Sequence, residues 1–596
     1  MTNSIKGMKR TDYCAKFDIS NVGQTITVFG WVQRQRDLGN LIFIDLRDRT
    51  GIIQLSFNDQ TDRVIFADAQ SVRSEYVVAA TGVVAERESK NKDIPTGEIE
   101  VIVNDFRIVS KAKTPPFEIE KSEKVGDETT LKYRYLNLRN EKLTKNILMR
   151  HKIAKIAREY FYANDFIEIE TPMMIKSTPE GARDYVVPSR IHNGKFYALP
   201  QSPQIYKQLT MIAGFDRYIQ LARCFRDEDL RADRQPEFTQ IDLEMSFVDC
   251  DDIMDMAEGF ISKLMKETID VNIDAPLPRM TFADAMNKYG SDKPDTRFDM
   301  LIEDISDWAD KTDFVVFKSA IADGGAVKAI VAKNAASTYT RKKIDKLTDF
   351  AKGIGAKGLA YVRWADEAPN CSFAKFLKDG ELEELLSTLG AEQGDVVLIV
   401  SDKTRKALTI MGALRLAVAK ELDLIPQGKW NFLWITEMPF FEMDEETGEW
   451  VAAHHPFTMP MEESIQYLDT DKSKVKAQAF DLVLNGTELS SGSMRITDCE
   501  LQTKMFELLG MEQEEIDAKF GFLVDAYHYA APPHGGMGIG LDRLAMLLCG
   551  ADSLRDVIAF PKVQNASELM SGAPSYIDDV QLGELGIDIK ASEDDE

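Results

Sequence analysis

Three glycines near the C-terminal end restrict the fold and function of this chain more than any other feature. They alternate with apolar residues in the run GMGIG at 536–540, which LDRL at 541–544 follows. The alternation predicts a β-strand with one face free of side chains, against which a large group can lie. The residues after it predict a buried helix, whose first amides and nearby arginine can meet an anion. The run indicates a nucleotide site, and a tight strand-to-helix packing turn is the alternative.

A polar stretch at 224–244 predicts an antiparallel hairpin with two different faces. Its flanks alternate apolar and polar residues with a period of two. On the returning strand, Phe238, Gln240, Asp242 and Glu244 share the face opposite the apolar residues. Such a sheet can bury one face and line a cleft with the other. A solvated surface ribbon would also alternate, but it would rarely carry an aromatic ring, an amide and two acids behind an arginine-rich loop.

These two stretches resemble motifs 2 and 3 of class II aminoacyl-tRNA synthetases, and residues 166–172 resemble motif 1. Four further motifs resemble the bacterial-type aspartyl-tRNA synthetases. They are TPEGARDY at 178–185, QSPQ at 201–204, YGSDKPD at 289–295 and HHPF at 454–457. The resemblance spans nearly the whole chain. It implies a multidomain α+β protein with an N-terminal OB-fold β-barrel, a catalytic domain on an antiparallel sheet and an inserted α+β domain.

The resemblance also implies the activity and the partners. We expect ATP-dependent joining of L-aspartate to tRNA-Asp by a homodimer that uses Mg²⁺. An asparaginyl enzyme would share motifs 1 to 3, but the inserted domain and the pocket residues 201–207 argue against it. A non-catalytic RNA-binding relative would usually have lost Arg226, Glu488 or Arg543, and all three are present.

Composition agrees with a large intracellular protein. A length of 596 residues predicts three or four domains. The chain has no long apolar run for a membrane span, no hydrophobic signal core at its start and no C-x-x-C pair among 6 cysteines. We therefore expect a cytoplasmic protein without a membrane partner. The net charge of −26 disfavours a general nucleic-acid binder, although residues 1–112 hold equal numbers of acidic and basic side chains.

Five regions are expected along the chain. They are an OB-fold anticodon-binding domain at 1–112, a hinge at 113–140, the first part of the catalytic domain at 141–290, the inserted domain at 291–428, and the second part with a C-terminal extension at 429–596. The barrel strands are expected near 24–37, 41–49, 51–58, 75–88 and 97–110, with a helical segment near 61–73. We expect the acidic tail at 593–596 to be disordered.

The side-chain parity of the barrel strands points to an RNA-binding face. Ile42 and Ile44 are expected in the core, which leaves Phe43 outside, and Gln54 also falls on the outer face. An outward aromatic ring beside polar groups can stack on and read bases, and the resemblance implies that Phe43 and Gln54 contact the anticodon. The alternative is that Phe43 caps the barrel. Leu38 resembles the type that discriminates tRNA-Asp from tRNA-Asn, and a non-discriminating enzyme that charges both remains the second hypothesis.

The resemblance assigns an ATP site to motifs 2 and 3. Arg226 should bridge the aspartate carboxylate and the α-phosphate, and it is with Arg543 the predicted catalytic residue. Phe238 and Arg543 should sandwich the adenine ring, and Glu228 should accept from its amino group. The other predicted ATP contacts are Asp227, Gln235, Glu488, Gly540, Leu541 and Asp542.

The metal site and the aspartate pocket also follow from the resemblance. Asp481 and Glu488 are the implied magnesium ligands, since hard oxygen atoms suit this ion; without the other motifs, two surface acids around a glycine turn would be the simpler interpretation. The implied aspartate contacts are Glu180, Gln204, Lys207, Arg226, Asp242, His454 and Arg495. Arg495 and Lys207 should face the substrate side chain, and Glu180 and Asp242 its ammonium group. The pair His454–His455 could instead bind a metal, but neighbouring side chains point apart on a strand, and no third ligand is evident.

Overall fold

The described part of the chain divides into two compact units. The structure is a computed structural model, and it describes residues 4–178, 181–228, 230, 234–444 and 447–590. One unit combines segments 1–151, 229–235 and 545–577, and the other combines 152–228, 236–544 and 578–596. This division does not test the five domain boundaries expected from the sequence, which stay predictions. Glu180 and the acidic tail lie outside the described residues. Among the helices of the described part, none is long and apolar enough to cross a membrane.

Five strands of the N-terminal segment close into a barrel, which confirms the predicted OB-fold. They are β1 (Thr25–Asp37), β2 (Ile42–Asp48), β3 (Gly51–Phe57), β4 (Val77–Glu86) and β5 (Ile99–Ser110), in the order β1-β2-β3-β5-β4, with helix α1 (Arg63–Ser71) between β3 and β4. Alternate residues of each strand fill the barrel. Ile42 and Ile44 are fully buried, as their parity predicts, and Phe57 packs edge-on against Phe106. Asp62 caps α1 by accepting hydrogen bonds from the first turn.

The chain continues from the barrel into the first elements of the catalytic sheet. The next elements are α2 (Asp127–Lys132), α3 (Arg134–Asn137), α4 (Glu141–Ala163), β6 (Ile167–Glu168), β7 (Val186–Pro188), β8 (Phe196–Ala198), α5 (Gln204–Ile212), β9 (Arg217–Phe225), β10 (Glu237–Ser246), α6 (Cys250–Ile269), β11 (Arg279–Thr281) and α7 (Phe282–Tyr289). Strand β6 is shorter than the motif 1 strand expected at 166–172. It pairs with β9 only at Ile167 and Glu168, and the chain then leaves the sheet before Pro172, which cannot donate a ladder hydrogen bond.

The inserted segment forms a sheet that is covered on both faces. Its elements are β12 (Glu303–Asp304), α8 (Ser306–Ala309), α9 (Val315–Ala322), β13 (Ala326–Ala332), α10 (Arg341–Gly353), β14 (Ala360–Arg363), β15 (Asn370–Cys371), α11 (Glu381–Thr388), β16 (Val396–Asp402) and α12 (Thr404–Glu421), and the strand order is β12-β13-β16-β14-β15. Leu398 and Val400 pack into one apolar cluster, and Val397 and Ile399 pack into another. The nearly continuous apolar sequence of β16 follows from this burial on two sides.

The remaining elements complete the catalytic sheet. They are β17 (Phe432–Thr436), β18 (Phe441–Met443), β19 (Trp450–Ala452), β20 (Ala479–Leu484), β21 (Thr487–Met494), α13 (Cys499–Leu508), α14 (Gln513–Tyr527), β22 (His534–Gly540), α15 (Leu541–Leu548) and α16 (Asp579–Leu585). The eight strands lie in the order β11-β17-β20-β21-β22-β10-β9-β6. The six central strands are antiparallel, as expected, whereas the edge strands β11 and β6 pair in parallel. The sheet is therefore mixed, because long connections bring each short edge strand back alongside its neighbour.

Candidate active site

The glycine run forms the strand β22 and the helix α15, as predicted. The chain's own side chains, however, cover part of the bare face. A Cβ atom on Gly536 would lie 2.1 Å from the Leu243 carbonyl oxygen and 2.1 Å from Glu244 Oε2. Gln240 lies over Gly538, with its nearest atom 3.2 Å from the position of such a Cβ. The first glycine is thus required by the close approach of β10, and the expected contact with a large bound group is confined to the end of the strand.

Four buried charges lie between α5, β10 and β21. Lys207 Nζ donates to Asp242 Oδ1 at 2.8 Å and lies 3.3 Å from Glu244 Oε2. Arg495 holds Glu244 with two hydrogen bonds, from Nε at 2.8 Å and from Nη2 at 3.1 Å. All four side chains are buried. Two cations and two acids therefore compensate one another away from water, in the pocket that the sequence assigns to aspartate.

Every N–H of the Arg495 guanidinium has a partner. Nη1 contacts His455 Nε2 at 2.7 Å and also donates to Ser493 Oγ, and Nη2 donates to the Gly536 carbonyl at 3.1 Å. With the two hydrogen bonds to Glu244, these contacts use all five donors of the group. A substrate carboxylate must therefore replace existing partners of Arg495, and the neutral groups on Nη1 are the cheapest to exchange.

His455, which the sequence analysis considered only as an alternative metal ligand, is the histidine at Arg495. Burial lowers the pKa of His455 well below its ordinary value, and the positive charge of Arg495 lowers it further. The ring is therefore neutral. Its Nε2 must accept from Arg495, which leaves Nδ1 to donate to Thr458 Oγ1 at 3.4 Å. His454 lies in a bend rather than on the strand expected from the sequence. Burial lowers the pKa of His454, and the negative charge of Glu488 acts in the opposite direction.

The two buried acids of the cluster differ in acidity. Burial raises the pKa of Asp242, and the charge of Lys207 offsets this effect only in part. Burial also acts to raise the pKa of Glu244, but Arg495 and Lys207 outweigh it and lower the pKa to about 2. Glu244 is thus the permanent anion of the cluster. The sequence analysis placed it on the same strand face as Asp242 without assigning it a role, and that shared face was the pattern that could have found it.

Several predicted substrate contacts carry buried atoms that can still bind a ligand. Within the described residues, no hydrogen-bond partner is present for Asp242 Oδ2, Gln204 Nε2 or Arg226 Nε. Buried polar atoms are rarely left in this state. The unmatched acceptor on Asp242 suits an ammonium group, and the unmatched donors on Gln204 and Arg226 suit carboxylate or phosphate oxygen atoms.

The predicted adenine contacts lie on β10 and at the start of α15. The Arg226 guanidinium lies 5.2 Å from the ring centroid of Phe238. Arg543 Nη1 donates to the Glu488 carbonyl at 3.0 Å and lies 3.7 Å from its carboxylate. Asp542 is buried and accepts from the Thr239 amide at 2.8 Å. The side chain of Asp542, in motif 3, is therefore bonded to the main chain of motif 2.

The other predicted ATP residues are placed as follows. Asp227 forms an ion pair with Arg183, with 3.7 Å between Oδ2 and Nε. The Asp227 amide donates to the Arg183 carbonyl at 3.1 Å. Gln235 belongs to the first compact unit, where its side-chain amide exchanges two hydrogen bonds with the main chain of Lys562. Glu228 is partly buried at the end of the described loop. Leu541 is buried and Gly540 pairs with Gln240, so both help to form the strand-to-helix junction.

The two predicted metal ligands lie on the hairpin β20–β21. Asp481 pairs with Ser491, and Glu488 pairs with Val483 beyond a β-bulge. Burial raises the pKa of Asp481 to about 8, and the charge of Glu488 adds to this shift. Asp481 Oδ1 is buried, with no hydrogen-bond partner in the described part of the chain. In the same part, no group of three or more His, Cys, Asp or Glu side chains is arranged to hold a metal.

The predicted anticodon contacts lie on the outer face of the barrel. The Arg36 guanidinium lies 5.4 Å from the ring centroid of Phe43. Gln54 is nearly inaccessible, because Arg36 and Arg87 donate to its Oε1 and its Nε2 donates to Glu100. Leu38, in contrast, is 70% exposed at the tip of the first loop.

Comparison with protein families identifies the chain. The family model "tRNA synthetases class II (D, K and N)" matches residues 126–564. The chain belongs to the class II tRNA synthetases. A model for "OB-fold nucleic acid binding domain" matches residues 26–109 of this synthetase. The two matches show the families to which the catalytic and barrel segments belong.

Known relatives cover the synthetase from end to end. The aspartate–tRNA ligase of Ruminiclostridium cellulolyticum is 53% identical over 592 residues, which are 99% of this chain and 100% of that protein. The aspartate–tRNA(Asp/Asn) ligase of Caldanaerobacter subterraneus is 52% identical and covers 99% of this chain and 100% of its own. The crystal structure of an asparaginyl-tRNA synthetase from Pyrococcus horikoshii covers 93% of this chain and 98% of its own, with a TM-score of 0.59 and 18% identity. That structure supports the fold.

The charge cluster predicts a stability effect for Glu244→Gln. The variant leaves Lys207 and Arg495 facing the single acid Asp242, with His534 nearby as a further polar group. Removing one partner of a buried ion pair costs about 3–5 kcal/mol. Because folding lowers the pKa of Glu244 from 4.5 to about 2, its contribution is complete above pH 4.5 and is lost as the pH falls toward 2. Urea unfolding should show a constant difference between the wild type and the variant from pH 7 to 5, which shrinks below pH 4.5.

Glu237→Gln is the control on the same strand. Glu237 is about one-third exposed and pairs with the half-exposed Arg223, so its loss should change the unfolding free energy by about 1 kcal/mol or less. Equal losses for the two variants would show that the buried cluster does not stabilise the fold through Glu244.

Proposed function

We propose that this synthetase is an aspartate–tRNA ligase, which activates L-aspartate with ATP and transfers it to the 3′ end of tRNA-Asp. The observation that carries the proposal is the buried cluster of Lys207, Asp242, Glu244 and Arg495. The cluster is complementary to aspartate, because Arg495 can exchange its neutral partners His455 and Ser493 for a side-chain carboxylate, and Asp242 keeps one unused oxygen atom for the ammonium group. The full-length similarity to bacterial aspartate–tRNA ligases supports this substrate.

Activation joins an aspartate α-carboxylate oxygen to the α-phosphorus of ATP and expels pyrophosphate. The reaction asks the protein mainly for positioning and for stabilisation of charge. Arg226 would bridge the carboxylate and the α-phosphate, since its Nε is unmatched and its guanidinium lies beside Phe238. Arg495 would receive the substrate side chain by releasing His455 and Ser493. Asp242 Oδ2 would accept from the ammonium group, with Lys207 holding the other oxygen atom of Asp242 in place.

A magnesium ion fits the hairpin β20–β21. Magnesium is usually held by one or two carboxylates together with phosphate oxygen atoms and water, and Asp481 and Glu488 supply two carboxylates that act on each other. The unmatched, buried Oδ1 of Asp481 supports a ligand there. When bound, the ion would neutralise part of the triphosphate charge.

Two assays test the function. The chain should exchange labelled pyrophosphate into ATP in the presence of aspartate and without tRNA, because the activation residues are present. Exchange with asparagine or lysine but not with aspartate would contradict the proposed substrate.

Charging of purified tRNA-Asp and tRNA-Asn with labelled aspartate separates the two hypotheses on tRNA choice. We expect tRNA-Asp alone to be charged, and equal charging of both would favour the non-discriminating enzyme, for which the exposed Leu38 is the residue to vary.

The outer face of the barrel is the proposed anticodon site, and Phe43→Ala tests it. Stacking of a base on an aromatic ring is worth about 1–3 kcal/mol, so kcat/KM for tRNA should fall roughly 5- to 150-fold. Pyrophosphate exchange should not change, and the loss should be similar at low and moderate salt because stacking is not a phosphate contact. Phe350→Ala, at a partly exposed ring of the inserted segment, is the control. Parallel loss of exchange and charging would show that Phe43 is a structural residue.

Gln54→Ala should also reduce charging. Because Gln54 is buried, the unfolding free energy of this variant must be measured as well.

We also propose that the synthetase is a cytoplasmic homodimer. Ile167 of the edge strand β6, Met174 and Phe196 are each about half exposed or more, which is typical of a surface that another chain covers. None of the six cysteines, all of which lie in the described part of the chain, forms a disulfide bond, and a reducing compartment favours that state. Sedimentation at micromolar concentration should give twice the chain mass of 67.1 kDa. A species of one chain mass would contradict the dimer, and aspartate charging would remain as a separate question.

A further inference from the structure

The segment between α7 and β12 carries a charged pair that has no role in the reaction described above. It contains the motif YGSDKPD at 289–295. Lys293 Nζ lies 3.4 Å from Asp292 Oδ1, and the side chains are 46% and 43% exposed. An ion pair this exposed contributes little to stability. Stability alone therefore does not account for the placement of these two charges.

A buried arginine fixes the backbone of this segment. Arg415 of α12 donates to the carbonyl oxygens of Asp295 at 3.1 Å, Phe298 at 2.9 Å and Met300 at 2.8 Å. Its guanidinium lies 3.9 Å from the ring centroid of Phe298 and 4.9 Å from that of Tyr289. Burial lowers the pKa of Arg415 to about 10, so the group stays charged at neutral pH. The segment is thus held at several points by one side chain of the inserted sheet's last helix.

The same segment packs against the turn of the hairpin that carries the two acids. Gly486 lies in this turn with a φ of +82°, and a Cβ there would lie 3.1 Å from the Cβ of Asp295. Asn431 joins the two, because its Nδ2 donates to the Thr296 carbonyl at 3.1 Å and its amide donates to Asn485 Oδ1 at 2.9 Å. The position of the segment relative to the hairpin β20–β21 is therefore set by direct contacts.

Lys293 lies two residues before Asp295, which meets the hairpin turn at Gly486, and Gly486 lies two residues before Glu488. After burial and Glu488, Asp292 also raises the pKa of Asp481, whereas Lys293 lowers it. Burial lowers the pKa of His454, and the negative charges of Glu488 and Asp292 each act to raise it. The carboxylates of Asp292, Asp481 and Glu488 thus share this region with the ammonium group of Lys293 and with the guanidinium of Arg543, which lies 3.7 Å from the Glu488 carboxylate. A highly charged polyanion such as a triphosphate needs further positive charge there.

We propose that Lys293 is a further substrate-binding residue of the activation reaction, which holds the β- and γ-phosphates of ATP and the departing pyrophosphate. The inference rests on the proposed function. As the aspartate α-carboxylate oxygen bonds to the α-phosphorus, the bond from this phosphorus to the bridging oxygen breaks, and its electron pair leaves with pyrophosphate. A lysine supplies a compact positive charge on a flexible stem. Lys293 can exchange Asp292 for phosphate oxygen atoms without unfolding the segment, because the backbone is held by Arg415 and Asn431.

Lys293→Gln in the full chain tests the proposal. The change removes the charge and keeps most of the stem. Loss of a hydrogen bond to a charged group should weaken binding of inorganic pyrophosphate, measured by calorimetry in magnesium buffer, by roughly 10- to 100-fold. The KM for pyrophosphate in exchange should rise by a similar factor, and the KM for aspartate should change less than about twofold. Transfer from preformed aspartyl-adenylate to tRNA-Asp should keep the wild-type rate, because that step contains no pyrophosphate. Lys293→Arg should restore part of the affinity.

Lys288→Gln is the matched control. Lys288 lies on α7, is 53% exposed and pairs with Asp284 four residues earlier, and its loss should leave pyrophosphate binding unchanged. Wild-type affinity for pyrophosphate in Lys293→Gln would overturn the proposal, as would equal losses in both variants or a slowed transfer step. Calorimetry needs no aspartate. It therefore decides the role of Lys293 even if the wild type shows no aspartate-dependent exchange, an outcome that would overturn the proposed function instead.

Discussion

The buried cluster of two acids and two cations is the interaction on which the catalytic half of the molecule depends. A charge removed from water is costly unless an opposite charge and good hydrogen bonds replace the solvent. Lys207 on α5, Glu244 on β10 and Arg495 after β21 meet this condition only when their elements lie together. The same contacts that hold the sheet and α5 in register therefore build a pocket of defined charge. One oxygen atom of Asp242 has no hydrogen-bond partner among the described residues, which agrees with the proposed ammonium site.

The close approach of β22 to β10 follows from the same cluster. Arg495 donates to the Gly536 carbonyl, and Glu244 occupies the space that a side chain at Gly536 would need. A glycine at that position is thus a condition for burying Glu244 beside Arg495. At the other end of β22, Asp542 accepts from the main chain of Thr239, so that the strand-to-helix junction is joined directly to the motif 2 strand.

The inserted segment is connected to the catalytic hairpin through backbone carbonyl groups. Arg415 satisfies these carbonyls between two aromatic rings, which makes a loop without regular structure a rigid one. Such a loop can hold a charged side chain near a site more accurately than a mobile one. This arrangement gives the last helix of the insert a physical connection to the catalytic sheet, for which the sequence offered no specific role.

Much of the architecture could be predicted from the sequence. The five barrel strands, the motif 2 hairpin and the strand-to-helix junction of motif 3 appear at nearly the expected positions, because period-two alternation and glycine placement are local properties that the backbone obeys directly. The burial of Ile42 and Ile44 in the barrel core follows from the same rule. The parallel edge strands and the brevity of β6 could not be predicted in this way, because they depend on which neighbour a strand meets.

The sequence by itself determined which residue types were available for the site and on which strand faces they lie. It identified Lys207, Asp242 and Arg495 through motifs, and parity placed Glu244 beside Asp242. Only the tertiary structure decided that Glu244 holds Arg495, that His455 rather than His454 accepts from that arginine, and that Gln54 is enclosed by charged neighbours. These outcomes depend on hydrogen-bond geometry and desolvation between residues far apart in the chain, and local patterns carry no information about either.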